Sequence, residues 1–282
     1  MFEKQKQEAL QGSTAIQAGG NINIGLSYTD VKEIVYDLFK QNFPELLQEA
    51  YKQAKDNFEE YDKKLDEAIK RRIEEIDFKK FKEPNTQYLL NSSINHAARK
   101  GKNIDLGLLS ETLVASLGRD NTEILNIVAE QALETIPKLT SDQIKILTLV
   151  HYLIHCSLQG ITNISVSERN NSIVFGMVQG IPEKLYSYLN YMSSLGVLSI
   201  NQFQGINPYD AIKNQYQSLY KDMKSEDVKI DVEKKSPSLA KLAKIYEDKE
   251  LRVVNLTPVG MLIALINMRR IFPTIDYKIW IK

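Results

Sequence analysis

The spacing of hydrophobic positions in this chain changes along its length. From Ile16 to Leu26 (Ile-Gln-Ala-Gly-Gly-Asn-Ile-Asn-Ile-Gly-Leu) every even position is apolar or glycine, and every odd one is Gln, Asn or Gly. A period of two predicts a β-strand. A three-residue turn at Gly19-Gly20-Asn21 would match Ala18 with Ile22 and Ile16 with Ile24, and an unbroken strand also keeps the faces apart. A two-residue closure at Gly19-Gly20 mixes polar with apolar and is rejected. Both surviving forms leave Ile16, Ala18, Ile22, Ile24 and Leu26 on one apolar face, which a lone strand cannot shield from water. Residues 1–28 are therefore expected to self-associate.

Beyond this segment the period becomes helical. Thr29 is placed to cap a short amphipathic helix carrying Val31, Ile34, Val35, Leu38 and Phe39, and Pro44 marks its expected end. Between Glu45 and Lys82, 21 of 38 residues are charged, 11 acidic and 10 basic. Within that run Leu47, Tyr51, Ala54, Phe58, Tyr61, Leu65 and Ala68 alternate spacings of four and three, the narrow seam of a coiled coil or long helical hairpin. Ile69, Ile73 and Ile76 then slip out of phase, like a stutter. Residues 29–83 are thus expected to hold an amphipathic helix and a long charged helix.

Residues 84–138 read as a helical middle, with helices over 87–100, 105–117 and 122–136 punctuated by Gly101, Gly118 and Pro137. Leu139-Thr140-Ser141-Asp142-Gln143 is a capping start, and the helix after it, expected to run through Leu158, is apolar on nearly every side and so is expected at a domain centre.

The last domain, 139–282, contains a constellation in two pieces. Leu185, Tyr188, Leu189, Met192 and Leu195 form a helix that turns at Gly196 into a strand at Val197-Leu198. Arg252-Val253-Val254-Asn255-Leu256 reads as a second strand, and Thr257-Pro258 opens a helix running through Arg270. Together they resemble a winged helix: helix, Leu-Gly turn, β-hairpin wing, then Val-x-Leu-Thr-x-x-Gly into a final helix. Two departures make it degenerate. Residues of about 201–250 stand where a short wing tip belongs, with helices expected at 209–224 and 238–247 joined by a polar connector. The would-be recognition helix, 183–194, offers Lys184 as its cation and Asn190 as a base-reading amide, with three tyrosines better suited to packing or protein contact.

The Leu-Gly-Val-Leu and Leu-Thr-Pro-Val-Gly pieces within residues 139–270 resemble the C-terminal part of the bacterial abortive-infection Abi-alpha group. The Ile16–Gly25 segment resembles one in an uncharacterised bacterial family, where helices and a similar C-terminal domain follow it. These resemblances imply a role in phage defence or on mobile elements, and they bring no catalytic residues.

Composition narrows the classes further. Lys plus Arg is 36 and Asp plus Glu is 36, so the formal net charge is +0, without the basic excess of a typical nucleic-acid binder. The lone cysteine, Cys156, cannot form an intrachain disulfide, the N-terminus lacks a signal-like apolar run, and no stretch is long enough to span a membrane; a cytoplasmic protein is expected. His151 and His155 lie four apart beside Cys156, but Tyr152 stands where a zincin needs Glu, and no third ligand is apparent; no metal and no cofactor are expected. Phosphate-loop and nucleophile-elbow motifs are absent. In the tail, Tyr277, Ile279 and Ile281 alternate beside Trp280, which suits an edge strand or a strand donated to a partner.

The expected fold is mainly α: a helical bundle with an N-terminal β-strand and coiled-coil oligomerisation module and a C-terminal degenerate winged helix. The expected function is that of a non-enzymatic self-assembling scaffold or sensor component, with a second protein bound through the C-terminal domain. The alternative is a winged-helix DNA-binding regulator acting through Lys184, Asn190 and Arg252.

Overall fold

The computed structural model describes residues 28–158, 160–203 and 205–274, with residues 28–46 as backbone only. The predicted self-association segment (Ile16, Ala18, Gly19, Gly20, Ile22, Ile24, Leu26) and the alternating tail around Trp280 lie outside them. The chain divides into two compact units, residues 1–51 and 52–282.

The fold is mainly helical. Twelve α-helices occur among the described residues: α1 (Tyr28–Arg71), α2 (Pro84–Lys100), α3 (Leu106–Ser116), α4 (Glu123–Thr135), α5 (Ser141–His155), α6 (Glu168–Val178), α7 (Tyr186–Ser194), α8 (Pro208–Gln215), α9 (Gln217–Tyr220), α10 (Ser225–Lys235), α11 (Pro237–Asp248) and α12 (Pro258–Arg269). Two three-residue strands, β1 (Leu198–Ile200) and β2 (Val254–Leu256), pair antiparallel with Leu198 opposite Leu256 and Ile200 opposite Val254.

In the first unit the described residues, from Tyr28 on, are helical, and the helix runs through Pro44 without interruption, so the break expected there is absent. The residues that follow, Glu45-Leu46-Leu47-Gln48-Glu49-Ala50, are all strong helix formers and carry the helix on despite the missing amide.

The second unit is built around α5 and α12, which pack against each other. Ile144, Ile146, Leu147, Leu149, Val150 and Leu153 of α5 are buried, as its all-round apolar pattern predicts. It starts at the expected capping box: Thr140 accepts from the Gln143 amide while the Gln143 side chain accepts from the Thr140 amide. It ends at His155, three residues before the expected Leu158, where Cys156 becomes extended. α12 also packs on α3 and α4, so residues 84–138 and 139–282 share one apolar core. Asp105, Thr122 and Thr257 cap α3, α4 and α12 through side-chain oxygens that accept backbone amides.

Within this unit α1 docks through its last four turns. Tyr61 and Ala68 are buried and Leu65 packs against the core, the Asn57 amide donates to the Ala98 carbonyl at 2.9 Å, and Arg71 and Arg72 meet the buried Glu111 at 2.6 and 2.9 Å. The stutter does not form, because α1 stops at Arg71. The chain there exchanges helix for pairing with its own residues 117–119: Ile76 bridges Gly118, Asp77 N–H donates to the Leu117 carbonyl, and Arg119 N–H donates to the Glu75 carbonyl.

The wing insertion is more helical than its sequence suggests. α8, α9 and α11 fall where helices were expected, but the supposed polar connector is itself a helix, α10. Only Val228 and Val232 of α10 are buried, one turn apart, and this narrow stripe suffices because α8 and α11 flank it.

Candidate protein-interaction face

The two pieces predicted to meet do meet at the end formed by α7, β1, β2 and the start of α12. α7 buries Leu189 and Met192 and ends in a Schellman turn. Gly196 takes φ +72°, its amide donates to the Ser193 carbonyl, and the Val197 amide reaches back to Met192. The chain can then reverse directly into β1. From the far side of the insertion, Thr257 closes the turn: its N–H donates to the Val197 carbonyl at 3.1 Å and its hydroxyl donates to the Gly196 carbonyl at 2.6 Å. Gly260 completes this clasp. A Cβ there would stand 1.9 Å from the Val197 carbonyl oxygen.

What this end exposes is aromatic and weakly charged. Tyr186 is 81% exposed, Tyr191 is exposed with its hydroxyl donating to the Lys138 carbonyl, and Phe203, in the turn after β1, is fully exposed. Of the predicted nucleic-acid contacts, Lys184 and Asn190 are both exposed, but α7 begins at Tyr186, so Lys184 precedes it. Arg252 is exposed in a 3-10 turn ahead of β2 rather than on the expected strand, its stem lying against Gly205. Beside Lys184, Glu183 is paired at 2.8 Å with Lys249, whose side chain is nearly buried.

Of the predicted seam, Leu47 and Tyr51 are 52% and 71% exposed on the first unit, while in the second Ala54 is half-buried, Phe58 is exposed, and Tyr61 and Leu65 turn inward.

His151 and His155 sit one turn apart on α5. Their rings lie 5.1 Å apart, and burial, with His155 beside it, pushes the His151 imidazole down to about 3. Burial pushes the Cys156 thiol up to about 12, far from a nucleophilic thiolate at neutral pH. Among the described residues no three His, Cys, Asp or Glu side chains are placed to hold a metal, and no helix is long and apolar enough to cross a membrane. An opening of about 530 Å³ beside the starts of α3 and α5 is lined by Lys64, Lys102 and Arg270, yet Arg270 is spent on Asp105 at 2.7 Å and Lys64 lies 3.7 Å from Glu67.

A family model matches residues 25–222 and 197–281. The chain belongs to that family, whose function is unknown. The two matched stretches overlap across β1, α8 and α9 and together run from residue 25 to residue 281. No curated protein and no solved structure matches the chain.

Sequence reasoning missed the outer surface of α4, where Ile124 and Ile127 are exposed beside Glu123, Glu130 and Glu134. The signal was present in the spacing, since positions i, i+7 and i+11 put the three carboxylates on one helical face.

Proposed function

We propose that the protein is a non-enzymatic, self-associating assembly component whose C-terminal end engages another protein. The observation that carries this reading is the exposure of Leu47 and Tyr51, one turn apart on α1, where the heptad spacing calls for a helical partner. The alternating sequence from Ile16 to Leu26, outside the described residues, supports the same reading through its period of two. The resemblance of the C-terminal part to the Abi-alpha group supports a cytoplasmic role in phage defence.

Light scattering tests the assembly. The full chain should run as a multiple of 32.3 kDa, and Leu47→Asp with Tyr51→Asp, or removal of residues 1–28, should return it to the monomer. A parent chain of monomer mass would end the proposal.

A DNA-binding regulator is the second reading, favoured by the antiparallel strand pair between α7 and α12, the arrangement of a winged helix. Against it, α7 (Tyr-Ser-Tyr-Leu-Asn-Tyr-Met-Ser-Ser) carries no cation. DNA affinity falling steeply with salt, and weakened by Lys184→Gln with Arg252→Gln, would favour the regulator.

A further inference from the structure

The outer surface of α4 has a partner chemistry written into it. Ile124 and Ile127 are 49% and 45% exposed, although they are large and apolar and lie on a well-packed helix. Ile127 leads into a groove of about 570 Å³ between α4 and the turn from α7 into β1, whose apolar lining is completed by Leu195 and Val259. The same lining holds Glu130 and Glu134 and no cation. Side-chain partners of these carboxylates bring no fixed charge: Asn85 donates to Glu130, and Ser92 donates to Glu134. His96 lies 3.9 Å from Glu134, but burial holds its imidazole below the ordinary value, which favours the neutral ring. Glu123, at the start of α4, extends the acidic row.

We infer that this groove docks a cationic amphipathic helix of a protein partner. Its leucine-like side chains would cover Ile124 and Ile127 and enter the groove, while lysines or arginines on its flank meet Glu123, Glu130 and Glu134. The inference rests on the reading that the protein engages a second protein and adds the class of that partner.

The probe is a labelled 14-residue helical peptide of Leu/Lys heptads, with a Leu/Glu peptide as its charge-reversed counterpart, titrated against the full chain by anisotropy. The Leu/Lys peptide should bind and the Leu/Glu peptide should not. Glu130→Lys with Glu134→Lys, and separately Ile127→Asp, should each weaken binding by about tenfold. Glu226→Lys with Glu233→Lys on α10 should leave it unchanged. Shifts of the Ile124 and Ile127 methyl resonances in the parent protein give a readout that needs no variant. Equal weakening by the α10 pair would mean unspecific charge attraction and would overturn the proposal, as would silent methyl resonances. So would a drop in assembly mass for the groove variants, since a second copy would then be the occupant. The Leu47 and Tyr51 variants should change mass without changing peptide affinity, which separates failure here from failure of the assembly reading.

Discussion

At the scale of single residues, His151 is the most informative buried group. Its side chain is 3% exposed, its Nδ1 has no hydrogen-bond partner among the described residues, and burial favours the neutral ring. Because its pKa falls from 6.5 to about 3 on folding, the unfolded chain binds the proton more readily. The stability this site contributes is therefore complete above about pH 6.5 and is lost as the pH falls toward 3. At pH 4.5 the loss is about 2–3 kcal/mol. Urea melts at pH 7.5 and 4.5 should show that loss in the parent, and a clearly smaller one in His151→Leu. His155 and His96, also held low by burial, act in the same direction in the variant. An unchanged pH slope in the variant would mean that His151 does not carry the effect.

At the scale of elements, the clasp between the α7–β1 turn and α12 makes two glycines unequal. Gly196 needs its left-handed φ of +72° but has open space around it, whereas Gly260 faces a backbone carbonyl that cannot move aside. Gly196→Ala should cost about 1 kcal/mol. Gly260→Ala should cost about 3 kcal/mol and lower the melting temperature much further. Equal costs would contradict the clasp.

These elements also show what could be read from sequence. Thr140 with Gln143, and Thr257, marked helix starts because capping is local chemistry, set within four residues. Gly196 and the Val-x-Leu pattern likewise located both strands to within a few residues. The end of α1 at Arg71 was not legible, because it depends on Ile76 finding Gly118 far along the chain. α10 was hidden for a similar reason: two valines amid charged residues make a buried face only once α8 and α11 are beside them. Of the candidate face, the aromatic character of α7 was visible in its tyrosines. The α4 groove was not, since Leu195 and Val259 reach it from distant segments.

At the scale of the whole molecule, the insertion is tied into the bundle by a buried polar network. Glu168, at the start of α6, accepts from the Ser236 and Ser238 hydroxyls at 2.6 Å each and from the Ser238 amide at 3.2 Å. Asn171, fully buried, donates to Ser167 and Ser236 and accepts from the Tyr152 hydroxyl at 2.5 Å. The network thus fastens the start of α11 to α5 and α6, and its polar atoms are costly to strand. Glu168→Ala should destabilise residues 52–282 by about 3 kcal/mol in one cooperative transition, followed by circular dichroism and tyrosine fluorescence together. Two separated transitions would show that the insertion unfolds by itself.

The strand pair closes only after residues 201–253 have been gathered in, and this bears on the order of folding. Bringing such distant ends together costs about 2 kcal/mol more chain entropy than a four-residue loop would. Three residues per strand return little on their own, so β1 and β2 are expected to meet after α8 to α11 have condensed onto α5 and α6. The aromatic end of the molecule should then take shape late in refolding, with the β1 and β2 amides gaining hydrogen-exchange protection after those of α5.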